Sequence, residues 1–464
     1  MIITKTPFRM SFFGGGTDME NFFKENGGAV LSTTFDKYCY VNVRHLPRFF
    51  DYSTELSYSK TERVTNVDDI QHPAIRNAMK MLDMHEIRLT YEAEGNHLYA
   101  PIGFYSITIL FIIITAGLHV AGNSYSLIYY GLALLVPFAV NEKIRESGFF
   151  AKFVVVMASF FTVGCFVNFL LPSMFKAVFI PLYSSSAQQS LSDVEKLSGT
   201  STYFAGFTSQ VGYTSFFISI GVGAIFCFRE TLFGKGWRIL LGIMLGGLLL
   251  TGKRGPLIFL LIALCIIYFT EGYGRNRIVR IVKIAAALVA AYIALWAISN
   301  LTKIDGIVRI YNAVYEFLTS GSVEDAGRNQ LHEQALIYFR ENPFLGIGWS
   351  NFKSMYAFRN THVHCIYLQL LCETGLIGFA VFMMFFATRL FKTFFSVMKS
   401  RFLDNPLESG WIKFSLFIQL YFLLYGITGN PLYDIEETII YFFAIGISYI
   451  PISSFWEEYE ERWI

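Results

Sequence analysis

Residues 365–390 read CIYLQLLCETGLIGFAVFMMFFATRL, a run of 26 residues with Glu373 and Arg389 as its charges. A helix needs about 20 mostly apolar residues to cross the ~30 Å hydrocarbon core of a bilayer, so this run suffices. Working outward, further apolar stretches approach that length at 101–119, 124–140, 153–171, 211–228, 239–250, 257–269, 281–299, 411–426 and 438–455. Backbone inside a bilayer must satisfy its own hydrogen bonds, which makes each of them a helix. The expectation is an all-α polytopic membrane domain of about ten spans. Composition agrees, since charged residues are 16% of the chain against roughly a quarter in soluble domains. The charges are dense before Gly95 and sparse after it, which sets the expected domains at 1–95 and 96–464.

Lys and Arg in short loops mark the cytoplasmic side. With the N-terminus inside, that side collects Lys143, Arg145, Lys152, Arg229, Lys235, Arg238, Arg275, Arg277, Arg280, Lys283, Arg389, Lys392, Lys399, Arg401 and Lys413. The connections 119–124 and 429–437 carry none. Lys253 and Arg254 are the exception, because the alternation places them outside. Two long outer segments result, 172–210 and 300–364. Within the second, DAGRNQLHEQALIYFRE (325–341) has apolar residues at Leu331, Ala335, Leu336 and Phe339, the spacing of a short amphipathic helix. Asn342–Pro343 stops it, and Gly346 and Gly348 permit a tight turn after it.

MIITKTPFRMSFFGGGTD has no long apolar core, so the first ~95 residues are expected to stay in the cytoplasm. The six cysteines form no CxxC pair, and neither a disulfide framework nor a zinc site is expected. A net charge of +2 gives no case for a nucleic-acid partner.

Three elements together resemble the O-antigen ligase and polymerase family. The most specific spans Gly327 to Gly378: GRNQLHEQALIYFRENPFLGIGWSNF, a spacer, then HVHCIYLQLLCETGLIG. It holds a GR-initiated amphipathic helix, the Asn342–Pro343–Phe344–Leu345–Gly346–Ile347–Gly348 turn, and His364 followed by Tyr367, Leu368, Gln369, Glu373 and Gly375. The second is TGKRG, Thr251–Gly255, and the third is the large outer loop. The resemblance covers roughly 96–455 and implies a multi-pass protein of the bacterial inner membrane with a periplasmic loop. It implies transfer of a glycan from an undecaprenyl-pyrophosphate donor to an acceptor glycan or lipid A-core hydroxyl, without metal or cofactor.

The residue chemistry suits that reaction. Imidazole titrates near neutral pH, so His364 is the candidate catalytic base. Guanidinium is a permanently charged fork that matches phosphate oxygens, so Arg254 and Arg328 are the candidate ligands of the pyrophosphate. His362 is a second candidate for the base or for its orientation. Glu373, well inside an apolar helix, is either functional or a pin between helices. Lys253 reads as an interfacial anchor.

PFRMSFFGGGTDMENFFKENGGAVLSTTFDKYCYVNV resembles the start of a GHMP sugar kinase of the heptose-phosphate type, over about 1–94. Alternation over 28–43 suggests a strand pair, and 72–84 a helix, giving a small α+β kinase-like fragment. The glycine- and serine-rich loop that holds ATP phosphates at a helix start is missing: after TYEAE the chain enters GNHLYAPIGFYSITILF. Kinase activity is therefore not expected. The whole reads as a fusion of a kinase fragment with a ligase-like membrane gene. A transporter of the same superfamily and a nonfunctional fusion product are the competing classes; polar groups gather in the outer loop here, whereas transporters bind at mid-membrane.

Overall fold

A computed structural model gives the fold. It describes all residues except 1, 14–23, 26, 30, 48, 59, 94–123, 141–143, 146, 186–187, 189–203, 209, 272–275, 321–327, 356–360, 401–404 and 450–464. The stretch 101–119, Gly327, the Gly14–Asp18 turn and the domain edge at Gly95 lie outside the described residues. The chain divides into two units, Met1–Phe104 and Tyr105–Ile464.

The first unit is a five-stranded sheet in the order β1-β2-β5-β3-β4, built from Ile2–Phe13, Leu31–His45, Thr54–Ser57, Thr61–Val64 and Ile87–Ala93 (β5). Three neighbour pairs are antiparallel and β3–β5 is parallel. The strand pair expected over 28–43 is instead one continuous strand, β2. Its alternating residues serve two neighbours, β1 on one edge and β5 on the other, and no turn interrupts them. Helix α1, Pro73–Met81, starts on His72, whose ring nitrogen accepts from the Ile75 amide at 3.4 Å. Leu56, Ile70, Met79, Ile87 and Leu89 form its small core.

The second unit is helical. Its helices are α2 (Ser124–Ala139), α3 (Phe149–Leu170), α4 (Pro172–Val178), α5 (Val211–Cys227), α6 (Trp237–Leu250), α7 (Arg254–Thr270) and α8 (Asn276–Thr302). Then come α9 (Asp305–Ser320), α10 (Asn329–Glu341), α11 (Asn351–Met355), α12 (Ile366–Lys399), α13 (Pro406–Tyr425) and α14 (Ile435–Tyr449). Every apolar stretch singled out above that is described contains a helix. Among the described residues, three helices are long and apolar enough to cross a membrane: Phe149–Leu170, Arg277–Thr302 and Ile366–Met398.

Helices α5 and α13 are buried nearly all round, so they are the centre of the bundle. Small residues let them close up: a Cβ on Gly223 would stand 2.0 Å from the Phe417 ring. Helix α8 shows the opposite pattern, exposing Ile278, Val282, Val289, Ile293 and Trp296. An apolar surface of that kind belongs against lipid.

The two ends of the bundle differ in charge. At the end of α5, the Glu271 carboxylate receives Arg229 at 2.7 Å, Arg280 at 3.1 Å and Lys413 at 3.4 Å, tying α5, α7, α8 and α13 together. Burial raises the Glu271 carboxyl, but these cations hold it below the usual carboxylate range. The start of α5, about 25 Å away along a 17-residue helix, carries the other polar assembly.

Candidate functional site

Hydrogen bonds of backbone and side chain gather the helix ends there. The Ile366 amide at the start of α12 donates to Gly426 at the end of α13 (2.9 Å), and Tyr213 at the start of α5 donates to Asp434 just before α14 (2.9 Å). The TGKRG element is the link between α6 and α7. Thr251 is buried and donates to the Leu248 carbonyl at 2.6 Å, Gly252 takes a left-handed φ of 64°, and Arg254 opens α7.

The described residues of the segment 300–364 are largely helical. Helix α9, which the sequence reading missed, buries Ile307, Ile310 and Ala313; their three-residue spacing was the available signal. Helix α10 begins at Asn329, within the expected 325–341, and buries Leu331 and Ala335 against Ile347, Phe352, Val363, Cys365 and Cys372.

The turn after α10 explains two motifs at once. Helix α12 is broken at Gly375, where φ is 65° and ψ −173°. A break orphans backbone groups on both sides. The turn supplies them: the Ile347 and Gly348 amides donate to the Cys372 and Glu373 carbonyls at 2.9 and 2.8 Å. The Leu376 and Ile377 amides then donate to the Pro343 and Phe344 carbonyls at 2.8 and 3.3 Å. Backbones touch so closely that a Cβ on Gly375 would lie 2.3 Å from the Phe344 carbonyl, and one on Gly346 2.3 Å from the Glu373 carbonyl carbon. Gly375→Ala adds left-handed strain of about 1–2 kcal/mol to that clash with rigid backbone. It should lower the Tm of the purified protein by several degrees and reduce its yield, more than Gly378→Ala does.

Glu373 belongs to this lock. It is fully buried, and its carboxylate accepts from the Ser350 amide (2.8 Å), the Phe352 amide (3.1 Å), Gln369 Nε2 (3.1 Å) and the Tyr433 hydroxyl (2.6 Å). Four donors fill both oxygens. Of the two roles open to Glu373, the contacts support the pin.

The remaining site residues sit around the start of α12. His364 has a left-handed φ of 58°, uncommon for a side chain with a Cβ, and its Nε2 lies 3.4 Å from Thr361 Oγ1. Burial, then the charges of Arg328, Lys253 and His332, push its imidazole down to about 4. His364, Arg328 and Lys253 therefore share one electrostatic site, although their motifs are far apart in the chain. Arg254 is adjacent to Lys253 but is not among the described charges that act on His364. Lys253, read from sequence as an anchor, also bears on the histidine through its charge; burial and Arg328 lower its ammonium. His332 was also missed, though Arg328 and His332 stand one helical turn apart at the opening of α10.

His362 forms the second part. Its Nδ1 is 2.8 Å from Gln369 Nε2, and its ring lies 5.3 Å from the Tyr433 ring, which stacks on Trp349 at 4.8 Å. Burial, with the charges of Lys353 and His364, pushes His362 down to about 4. Burial raises Asp434 to about 6 against the pull of Tyr213 and Lys353. Among the described residues no group of three His, Cys, Asp or Glu side chains could hold a metal ion.

The assembly thus sets two imidazoles that burial pushes down, one of them under the charges of Arg328 and Lys253, at the end of an apolar helix bundle. Residues 239–383 match the family model described as O-Antigen ligase. No curated protein matches the chain. The matched stretch runs from α6 to the middle of α12 and includes Lys253, Arg254, Arg328, His362, His364, Gln369 and Glu373. It lies wholly within the helical unit. The match supports, at the level of a family, a membrane protein of glycan ligation or polymerisation.

Proposed function

We propose that this chain transfers a glycan from an undecaprenyl-pyrophosphate donor to a sugar hydroxyl at the periplasmic face of the bacterial inner membrane. The observation that carries the reading is that the charges of Arg328 and Lys253 bear on His364, and that all three residues fall inside the O-antigen ligase match. In the reaction His364 takes the hydroxyl proton, and the freed oxygen attacks the anomeric carbon. The anomeric C–O bond breaks with its electron pair going to undecaprenyl pyrophosphate, and the product is inverted. A neutral imidazole is the form a base requires, and repulsion from the cations keeps it neutral until the anionic donor arrives. Arg328 and Lys253, with Arg254 as a further candidate, meet the charge that grows on the leaving pyrophosphate. The acceptor is another glycan or a lipid A-core, and the chemistry needs no metal or cofactor.

The direct test is transfer by the purified full chain with lipid-linked donor, together with surface-glycan laddering in strains lacking a polymerase or a ligase. Restored laddering is expected in one of them; silence in both strains and in vitro would sink the reading.

Orientation follows from the Lys and Arg asymmetry, with 300–364 outside and about ten spans. Ser320→Cys, in a background with Cys39 and Cys265 replaced by Ser, should react with an impermeant thiol reagent in intact spheroplasts. Labelling only after lysis would reverse the topology.

The N-terminal unit is proposed to be a kinase-like fragment without kinase activity, because its sequence lacks the phosphate-binding loop. The full chain should show no magnesium-dependent ATP binding by calorimetry; saturable binding would contradict the proposal.

A further inference from the structure

The two histidines at the start of α12 are held differently, and Gln369 is the reason. This side chain is fully buried on the first half of α12 and uses every hydrogen-bonding group it has. Its Oε1 accepts from the Val363 amide at 3.2 Å, and its Nε2 donates to Glu373 Oε1 at 3.1 Å and faces His362 Nδ1 at 2.8 Å. A flipped amide would set oxygen against the Glu373 carboxylate and an N–H against the Val363 N–H, so this orientation alone satisfies the network. Glu373 is itself fixed by Ser350, Phe352 and Tyr433. An N–H therefore points at His362 Nδ1, which must carry the lone pair.

We propose that Gln369 is a positioning residue that holds His362 as the Nε2–H tautomer, so that this ring donates a neutral hydrogen bond to a substrate oxygen. The charged groups that act on the ring from its surroundings are Lys353 and His364; Tyr433 packs beside it. Both favour an uncharged imidazole, and burial acts in the same sense. With Nδ1 engaged inside and the proton on Nε2, His362 has no free lone pair and cannot serve as base. The two histidines then divide the work: His364 accepts the proton and His362 orients or polarises the substrate. The substrate role rests on the transferase reading, whereas the tautomer does not.

The test has two arms on the full-length protein in nanodiscs. In the first, imidazole-¹⁵N histidine is incorporated, and the His362 signals are assigned by their loss in His362→Gln. At pH 7 a protonated-type Nε2 and a lone-pair-type Nδ1 are expected, with Gln369→Met mixing the tautomers. A proton on Nδ1 in the wild type would overturn the proposal. In the second arm, His362→Gln places an amide N–H near the Nε2 position, and His362→Asn places one near Nδ1. His362→Gln should keep transfer within about tenfold of wild type. His362→Asn should lose about 10²–10³-fold, as for a lost oriented donor. Both should leave the acid limb of the kcat/KM profile unchanged, since His362 is not the base. Equal inactivity of the two variants would remove the donor role. Inactive wild-type protein would remove the transferase reading, with the nitrogen spectrum still deciding the tautomer.

Discussion

If His364 is the base proposed above, His364→Ala should lower transfer by about 10²–10⁴-fold, the range that a positioned general base contributes. The protein itself should survive the change. The residue is half-buried and its ring approaches Thr361 at 3.4 Å, so a smaller side chain leaves the backbone contacts around the start of α12 in place. Removing a β-carbon-bearing residue from a left-handed φ of 58° is better done with glycine, so His364→Gly is the companion variant. It should match His364→Ala in rate and equal or exceed the wild type in Tm. The measurement is product formed from a lipid-linked donor at saturating acceptor, with Tm recorded alongside. Near-normal product from both variants would remove His364 from the chemistry and leave the cation patch as a binding site for the donor alone.

The helices were legible because the signal is coarse. A span is a length of apolar residues, and the apolar stretches at 124–140, 153–171 and 211–228 each fall on a helix to within a few residues. Helix α9 was harder to see, since a half-buried helix has mixed composition and only Ile307, Ile310 and Ala313 mark its apolar face. In the N-terminal unit, alternation located β2 but could not say how many strands it made, because alternation records burial and not pairing.

The site was legible by residue type and illegible by neighbourhood. His364 and Arg328 stand out as an imidazole and a guanidinium inside a motif. Lys253 and Arg254 are consecutive, and sequence cannot tell which of two adjacent cations bears on the histidine; they follow Gly252, whose left-handed φ of 64° ends α6. Glu373 was ambiguous for a similar reason. Gln369 stands one helical turn back, but the donors at 350, 352 and 433 are far away in sequence, and the turn inserted at the Gly375 break brings the first two within reach.

Lys253→Met should lower kcat/KM by about 10²–10³-fold, the cost of removing one preorganised charge facing a leaving pyrophosphate. It should also move the pH profile in a defined direction. The acid limb of kcat/KM follows the free enzyme, in which burial and the charges of Arg328, Lys253 and His332 hold His364 near 4. Taking away the Lys253 charge removes one of the repulsions that disfavour imidazolium, so the limb moves up toward 6.5. The acid limb of kcat, which reports the complex, should lie above that of kcat/KM in the wild type, because a bound pyrophosphate favours imidazolium. The same depressed imidazole links to stability. Between about 4 and 6.5 the unfolded chain binds the proton more readily than the folded one, so this contribution is present above pH 6.5 and is lost as pH falls toward 4. Lys253→Met should shrink that loss. Arg328→Lys separates charge from shape: it keeps the repulsion on His364, so the limb stays, while the rate falls because an ammonium cannot reproduce a bidentate guanidinium contact. A limb that stays put in Lys253→Met, or a rate unchanged in Arg328→Lys, would mean that the patch does not face the reacting histidine as proposed.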